Sequence, residues 1–187
     1  MPEFAEIEVR SRVELRHWLS QNHTQTESVW LVFWKKHTSH YTPIGELISE
    51  LLCWGWVDAV TRGVDADRSS VRAAPRRAQS AWSAVNKAKV EEARAAGLMI
   101  EAGEAAIARA KANGKWEFLD DVERLEVPND LAEALGAARE QWDAYPRSVK
   151  RGVLEFIKTA KRPTTREKRI RDLVEDASRG LRPRNFR

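Results

Sequence analysis

The sequence predicts an α+β protein. A small antiparallel or mixed sheet covered by helices is followed by an all-helical C-terminal region. Three observations carry this. β-Branched and aromatic residues fill 29–34 without a break and are frequent in 56–62. Each run follows a stretch whose apolar residues repeat with helical spacing. Beyond Gly97 every periodic segment is helical.

In chain order, Phe4 to Val9 alternates apolar and acidic residues, the pattern of a strand with one wet face. Ser11-Arg12-Val13-Glu14 fits a capping box, opening a helix to about Ser20 with Val13, Leu15, Trp18 and Leu19 inward. Val29 to Trp34 reads as a central strand buried on both faces. Thr42-Pro43 offers a hydroxyl cap and a proline at the first helical position. The helix it opens, Ile44 to Cys53, buries Ile44, Leu47, Ile48, Leu51 and Leu52 and stops at Gly55.

Trp56 to Arg62 and Arg68 to Ala74 form a predicted hairpin around the turn at 63–67. Ala84 to Ala96 reads as a helix ending at Gly97, and Ala102 to Asn113 as another ending at Gly114. Trp116 to Leu125 is a short acidic helix or loop. Leu131 to Ala138 and Arg147 to Ala160 follow, and then Thr165 to Ser178 with Thr164 as its cap. The tail from Leu181 is expected to fray. Trp18, Trp30 and Trp142 read as core. The change in pattern predicts an α+β domain over 1–97 and a helical region over 98–187.

The chain has 187 residues and a single cysteine, so no internal disulfide forms and a reducing compartment, the cytoplasm, is expected. No apolar run is long enough to span a bilayer, and the N-terminus lacks an export pattern. No membrane insertion is expected. The net charge of +4 is unevenly spread: residues 147–187 hold 14 basic and 5 acidic side chains. Such a region suits an acidic or nucleic-acid partner, or matches an acidic layer within the protein. Lys158, Lys161, Arg162, Arg166, Lys168 and Arg169 are the candidate anion-binding residues.

A second candidate site gathers around the strand at Trp56. Trp56 and Asp58 point to one face, and a carboxylate beside an indole there needs a partner. Arg76 or Arg77 supplies a forked donor. Ser83 and Asn86, three apart, share a helix face with Trp82 near its start. With Trp54, these residues outline either a pocket for a small anion, planar molecule or peptide, or a structural Asp–Arg pair among core tryptophans. His37, His40, Cys53 and Asp58 show no metal-binding spacing, so no metal or other cofactor is expected. Cys53, at a helix C-terminal end, reads as a buried apolar residue rather than a nucleophile.

Several strings together resemble a known family: Trp30 to Lys36, Leu52-Cys53-Trp54-Gly55-Trp56-Val57-Asp58, Pro75-Arg76-Arg77, Ser80-Ala81-Trp82-Ser83 with Asn86, Gly114-Lys115-Trp116 and Ala160 to Arg166. The chain is similar to the YdeI/OmpD-associated (OmdA, bacteriocin-protection) family. Its N-terminal half is more distantly similar to the YjbR/CyaY-like group. The resemblance implies a non-enzymatic protein linked to envelope stress and bacteriocin protection. The CyaY-like analogy would add iron handling. No catalytic residue comes with the resemblance.

Overall fold

The computed structural model describes residues 4–186. Residues 1–3, part of the N-terminus read for an export pattern, and Arg187, the last base of the tail, lie outside the described residues. The chain forms two compact units, the first ending at Phe118 and the second beginning at Leu119.

In the first unit the described strands form one four-stranded sheet of order β1-β2-β4-β3. β1 (Glu6–Glu8) runs parallel to β2 (Val29–Trp34), with α1 (Arg12–Asn22) as the crossover between them. β3 (Trp56–Gly63) and β4 (Arg68–Pro75) make the antiparallel hairpin, and β4 lies against β2. The sheet is therefore mixed, one of the two arrangements expected from the sequence. α2 (Ile44–Cys53) connects β2 to β3.

One face of the sheet carries the core. Val29, Leu31, Val71 and Ala73 meet Leu15 and Leu19 of α1 and Leu47 and Leu51 of α2, all buried. Removing each of these valine and leucine side chains from water stabilises the fold by about 1.5–3 kcal/mol. The other face meets only in part the expectation that β2 is buried on both sides: Val32 is buried there, its neighbours on that face less so. Trp30 and Trp34 are only half-buried, and guanidinium groups cover them. Arg62 sits 3.9 Å from the Trp30 ring centroid and Arg68 5.8 Å from that of Trp34. These arginines also pair with Glu6 and Glu8 of β1. A cationic plane over an indole shields it without a second layer.

α3 (Ala84–Ala95) and α4 (Glu101–Ala112) complete the first unit. Gly103 lets α4 lie directly on the end of α2, since a Cβ there would run into the Cys53 carbonyl. Gly55, at φ +73°, turns the chain from α2 into β3.

The second unit is helical: α5 (Asp120–Glu123), α6 (Asn129–Leu135), α7 (Arg139–Ala144), α8 (Arg147–Lys158) and α9 (Pro163–Ser178). α7 escaped the sequence reading because proline and a short 3-10 turn confine it to six residues. Its Trp142 is buried, as expected. Val149, Val153, Leu154 and Ile157 line the inner face of α8.

Four local expectations are corrected. Val13 is 76% exposed and is not part of the α1 apolar face. Thr42 donates to the Arg10 carbonyl rather than capping α2. Thr164 does not cap α9, because the helix already begins at Pro163. The tail is held rather than frayed. Arg184 donates its main-chain N–H and its guanidinium to Asp176, which is 2% exposed, and Tyr145 Oη donates to the Leu181 carbonyl.

Candidate functional site

The corner where α2 turns into β3 places the candidate residues, and it divides them. Trp54 ends α2 with its indole N–H donating to Glu50 Oε1 at 2.8 Å. Glu50 is 0% exposed. It also accepts from Arg12 Nε at 2.7 Å and Arg16 Nη1 at 2.8 Å, two arginines one turn apart on α1. Arg16 further donates to the Leu98 carbonyl. Two guanidinium groups share one buried carboxylate, leaving a net positive charge. The sequence reading missed Glu50, Arg12 and Arg16. The available signal was helical spacing: Glu50 falls on the same stripe as Leu47 and Trp54, where a lone acid demands cationic partners.

Trp56 is buried, donates its indole N–H to the His23 carbonyl at 3.1 Å and meets Trp18 edge to face. Neither Trp54 nor Trp56 touches Trp82 in the core. The first two belong to the cluster between sheet and helices. Trp82 joins Leu52, Val90, Ile107 and Ala110 in a second one.

Around Trp82 the structure does gather the other candidates. Arg76, at the end of β4, is only 8% exposed and lies with its guanidinium carbon 3.7 Å from the Trp82 ring centroid. Its Nη2 donates to the Ala81 carbonyl at 2.5 Å. Its Nε and Nη1 are buried with no acceptor, and so is the indole nitrogen of Trp82. Burial pushes the Arg76 guanidinium down to about 10, and the charge of Asp58 pulls it the other way. Asp58 is half-buried on β3 opposite Ala73 and acts on Arg76 through space. Ser83 caps α3 by accepting from the Asn86 main-chain N–H at 3.3 Å, so its hydroxyl is engaged locally. Asn86 is half-buried beside it, and Arg77 is exposed.

Cys53 is buried beside Arg12, and burial together with Glu50 raises its thiol above the ordinary value, which suits an inert side chain. His37 lies 3.0 Å from Asp67, and His40 stands edge-on to Trp34. Among the described residues no three His, Cys, Asp or Glu side chains are placed to hold a metal ion.

In the second unit most of the candidate anion-binding residues already have partners. Lys158 reaches both Asp121 oxygens at 2.6 Å, Arg166 forks onto Asp130 at 2.7 and 2.8 Å, and Lys168 pairs with Asp172. Arg169 donates to the Phe156 carbonyl and stacks on the Phe156 ring. Lys161 and Arg162 are exposed. Lys158, Arg166 and Asp121 rim a cavity of about 270 Å³ floored by Val122, Leu154 and Ile157. No helix of the described residues is long and apolar enough to cross a membrane.

Fold and site together describe an α+β domain with a buried, under-satisfied arginine, followed by a helical unit. Residues 7–106 match a family described as a domain of unknown function (DUF8412), and the chain belongs to that family. Residues 124–180 match a second family, described as Bacteriocin-protection, YdeI or OmpD-Associated. The resemblance to that family is therefore carried by the C-terminal segment. The N-terminal half matches the domain of unknown function instead, and nothing found supports the similarity to the YjbR/CyaY-like group. No curated protein and no solved structure matches the chain.

Proposed function

We propose that this chain is a non-enzymatic cytoplasmic binding protein with a protective role against bacteriocins or envelope stress. It takes a small molecule or peptide end bearing an acidic group at Arg76, beside Trp82 and Asp58. One observation carries the site. Two donor nitrogens of a guanidinium that is nine-tenths buried have no acceptor. Leaving a buried donor unpaired costs about 1–3 kcal/mol, more when it is charged. A carboxylate or phosphate would accept from one of these nitrogens in a charge-assisted hydrogen bond; the two point to opposite sides of the guanidinium, so one anion does not fork onto both. The C-terminal match supports the protective role, since it is to a family described by bacteriocin protection.

The reading is tested by adding acetate, benzoate, a short peptide or inorganic phosphate while following tryptophan emission and melting temperature. The expected result is a saturable shift in both, absent in Arg76→Gln. If none of these ligands moves either signal in the unmodified protein, the site is structural.

A further inference from the structure

Two stretches of the first unit carry bases and no acids. Residues 76–90 hold Arg76, Arg77, Lys87 and Lys89, and residues 105–116 hold Arg109, Lys111 and Lys115. They are separate in sequence, and the fold lays them side by side. The Trp82 main-chain N–H donates to the Lys115 carbonyl at 3.2 Å, and the Asn113 side-chain amide donates to the Ala78 carbonyl at 2.8 Å. The rings of Trp82 and Trp116 meet at 5.0 Å.

Trp116 sits in the middle of this face, half-buried. The ammonium groups of Lys87 and Lys111 lie 5.3 and 5.4 Å from its ring centroid, and that of Lys115 lies 4.2 Å from the Phe118 centroid. Arg77 and Lys111 are exposed. Among the described residues Arg77, Lys111 and Lys115 enter no ion pair. Lys111 acts on Glu104 through space, but Arg94 already grips that carboxylate with two nitrogens. Glu117 is the one acid adjoining Trp116 in sequence, and it is exposed. The basic C-terminal helices present a different picture, since Lys158, Arg166 and Lys168 are matched by Asp121, Asp130 and Asp172.

We propose that this face binds single-stranded nucleic acid, with phosphates on Arg77, Lys111 and Lys115 and an unpaired base on the Trp116 ring. Positive charge alone would suit any polyanion. The aromatic ring between the cations selects the partner, because unpaired bases supply π-faces together with phosphates, whereas acidic proteins and lipid headgroups supply charge alone. A duplex hides its base faces, so the strand is single. An arriving base takes the place of the Lys111 ammonium over Trp116, and Lys111 then meets a phosphate. The surface adjoins the acidic-ligand site at Arg76 through the Trp82–Trp116 contact but uses different side chains.

The test titrates the full chain with a labelled oligothymidylate and, separately, with heparin, across a range of salt. For three phosphate contacts the expected slope of log affinity on log salt is about −2. Trp116→Leu should weaken oligonucleotide binding about tenfold and leave heparin unaffected. Arg77→Glu with Lys111→Glu should abolish oligonucleotide binding. The same protein should keep its response to phosphate or carboxylate at Arg76. Lys161→Glu with Arg162→Glu should change nothing. Absence of binding at low salt overturns the proposal. So does loss only in the 161/162 variant, and so does oligonucleotide binding that Trp116→Leu leaves intact, which would mean charge attraction alone.

Discussion

The guanidinium carbon of Arg76 lies 3.7 Å from the Trp82 ring centroid, and only one of the three guanidinium nitrogens finds an acceptor. A residue retained for stability alone would be matched better. Replacing a poorly compensated buried charge by an apolar residue of similar volume is often neutral or stabilising. Arg76→Met should therefore leave the melting temperature unchanged or raise it, while abolishing the response to acidic ligands. A drop equivalent to more than about 2 kcal/mol, on the scale of a lost buried hydrogen bond, would show that the stack and the Ala81 contact are structural.

Glu50 is the opposite case, a buried carboxylate with every partner in place. Removing it strands two arginines and an indole N–H. Glu50→Ala should destabilise the first unit by about 3–5 kcal/mol, measured by urea unfolding. The combined variant Glu50→Leu, Arg12→Met, Arg16→Met should recover much of this, because it removes the charges along with their mate. Equal losses in the two variants would contradict the coupling.

Gly103 holds α4 on α2 through backbone contact. A methyl group there meets the Cys53 carbonyl, whose oxygen also accepts from the Ile100 N–H at 3.2 Å. The obstacle is main chain and cannot swing aside. Gly103→Ala should cost about 1–3 kcal/mol or more, as overpacking does, despite the better helix propensity of alanine. An alanine variant as stable as the parent would mean that the helices separate freely.

Arg94 holds the Glu104 carboxyl below its ordinary value, and Arg166 does the same to Asp130. Both shifts are downward, so the stabilisation is complete above the unfolded values near pH 4 and is lost as pH falls through the lower folded ones. Both acids are more than a third exposed, so each contributes under about 1 kcal/mol after screening. Stability should be flat with respect to these groups near neutrality and decline below about pH 4. The difference between the parent and Arg166→Gln should shrink over that acid range, followed by thermal melts. A difference that stays constant down to about pH 2 would exclude this pairing as the cause.

The strands and most helices were legible along the chain, because their signals are local. Aromatic and β-branched runs marked β2 and β3, glycine marked the end of α2, and the mixed sheet with its helical sequel followed from the order of those patterns. The candidate site was legible only in part. Arg76 and Trp82 were named together from their places beside a hairpin and a helix start, and they do meet. Trp54 and Trp56 were grouped with them through Asp58, which shares a strand face with Trp56 and needs an arginine, yet both indoles join a different cluster. Which cluster a side chain joins depends on where the covering helices pack, and spacing along the chain does not report that.

Alone, the sequence determined what each segment becomes, since periodicity, caps and turn residues act over a few positions. It also determined the excess of base in the last forty residues. Tertiary structure decided which charges are neutralised. Coulomb attraction and desolvation depend on distance through space, so Glu50 acquired two arginines from α1, Arg151, Lys158, Arg166 and Lys168 of α8 and α9 acquired nearby acids, and Arg76 was left with two donors unanswered.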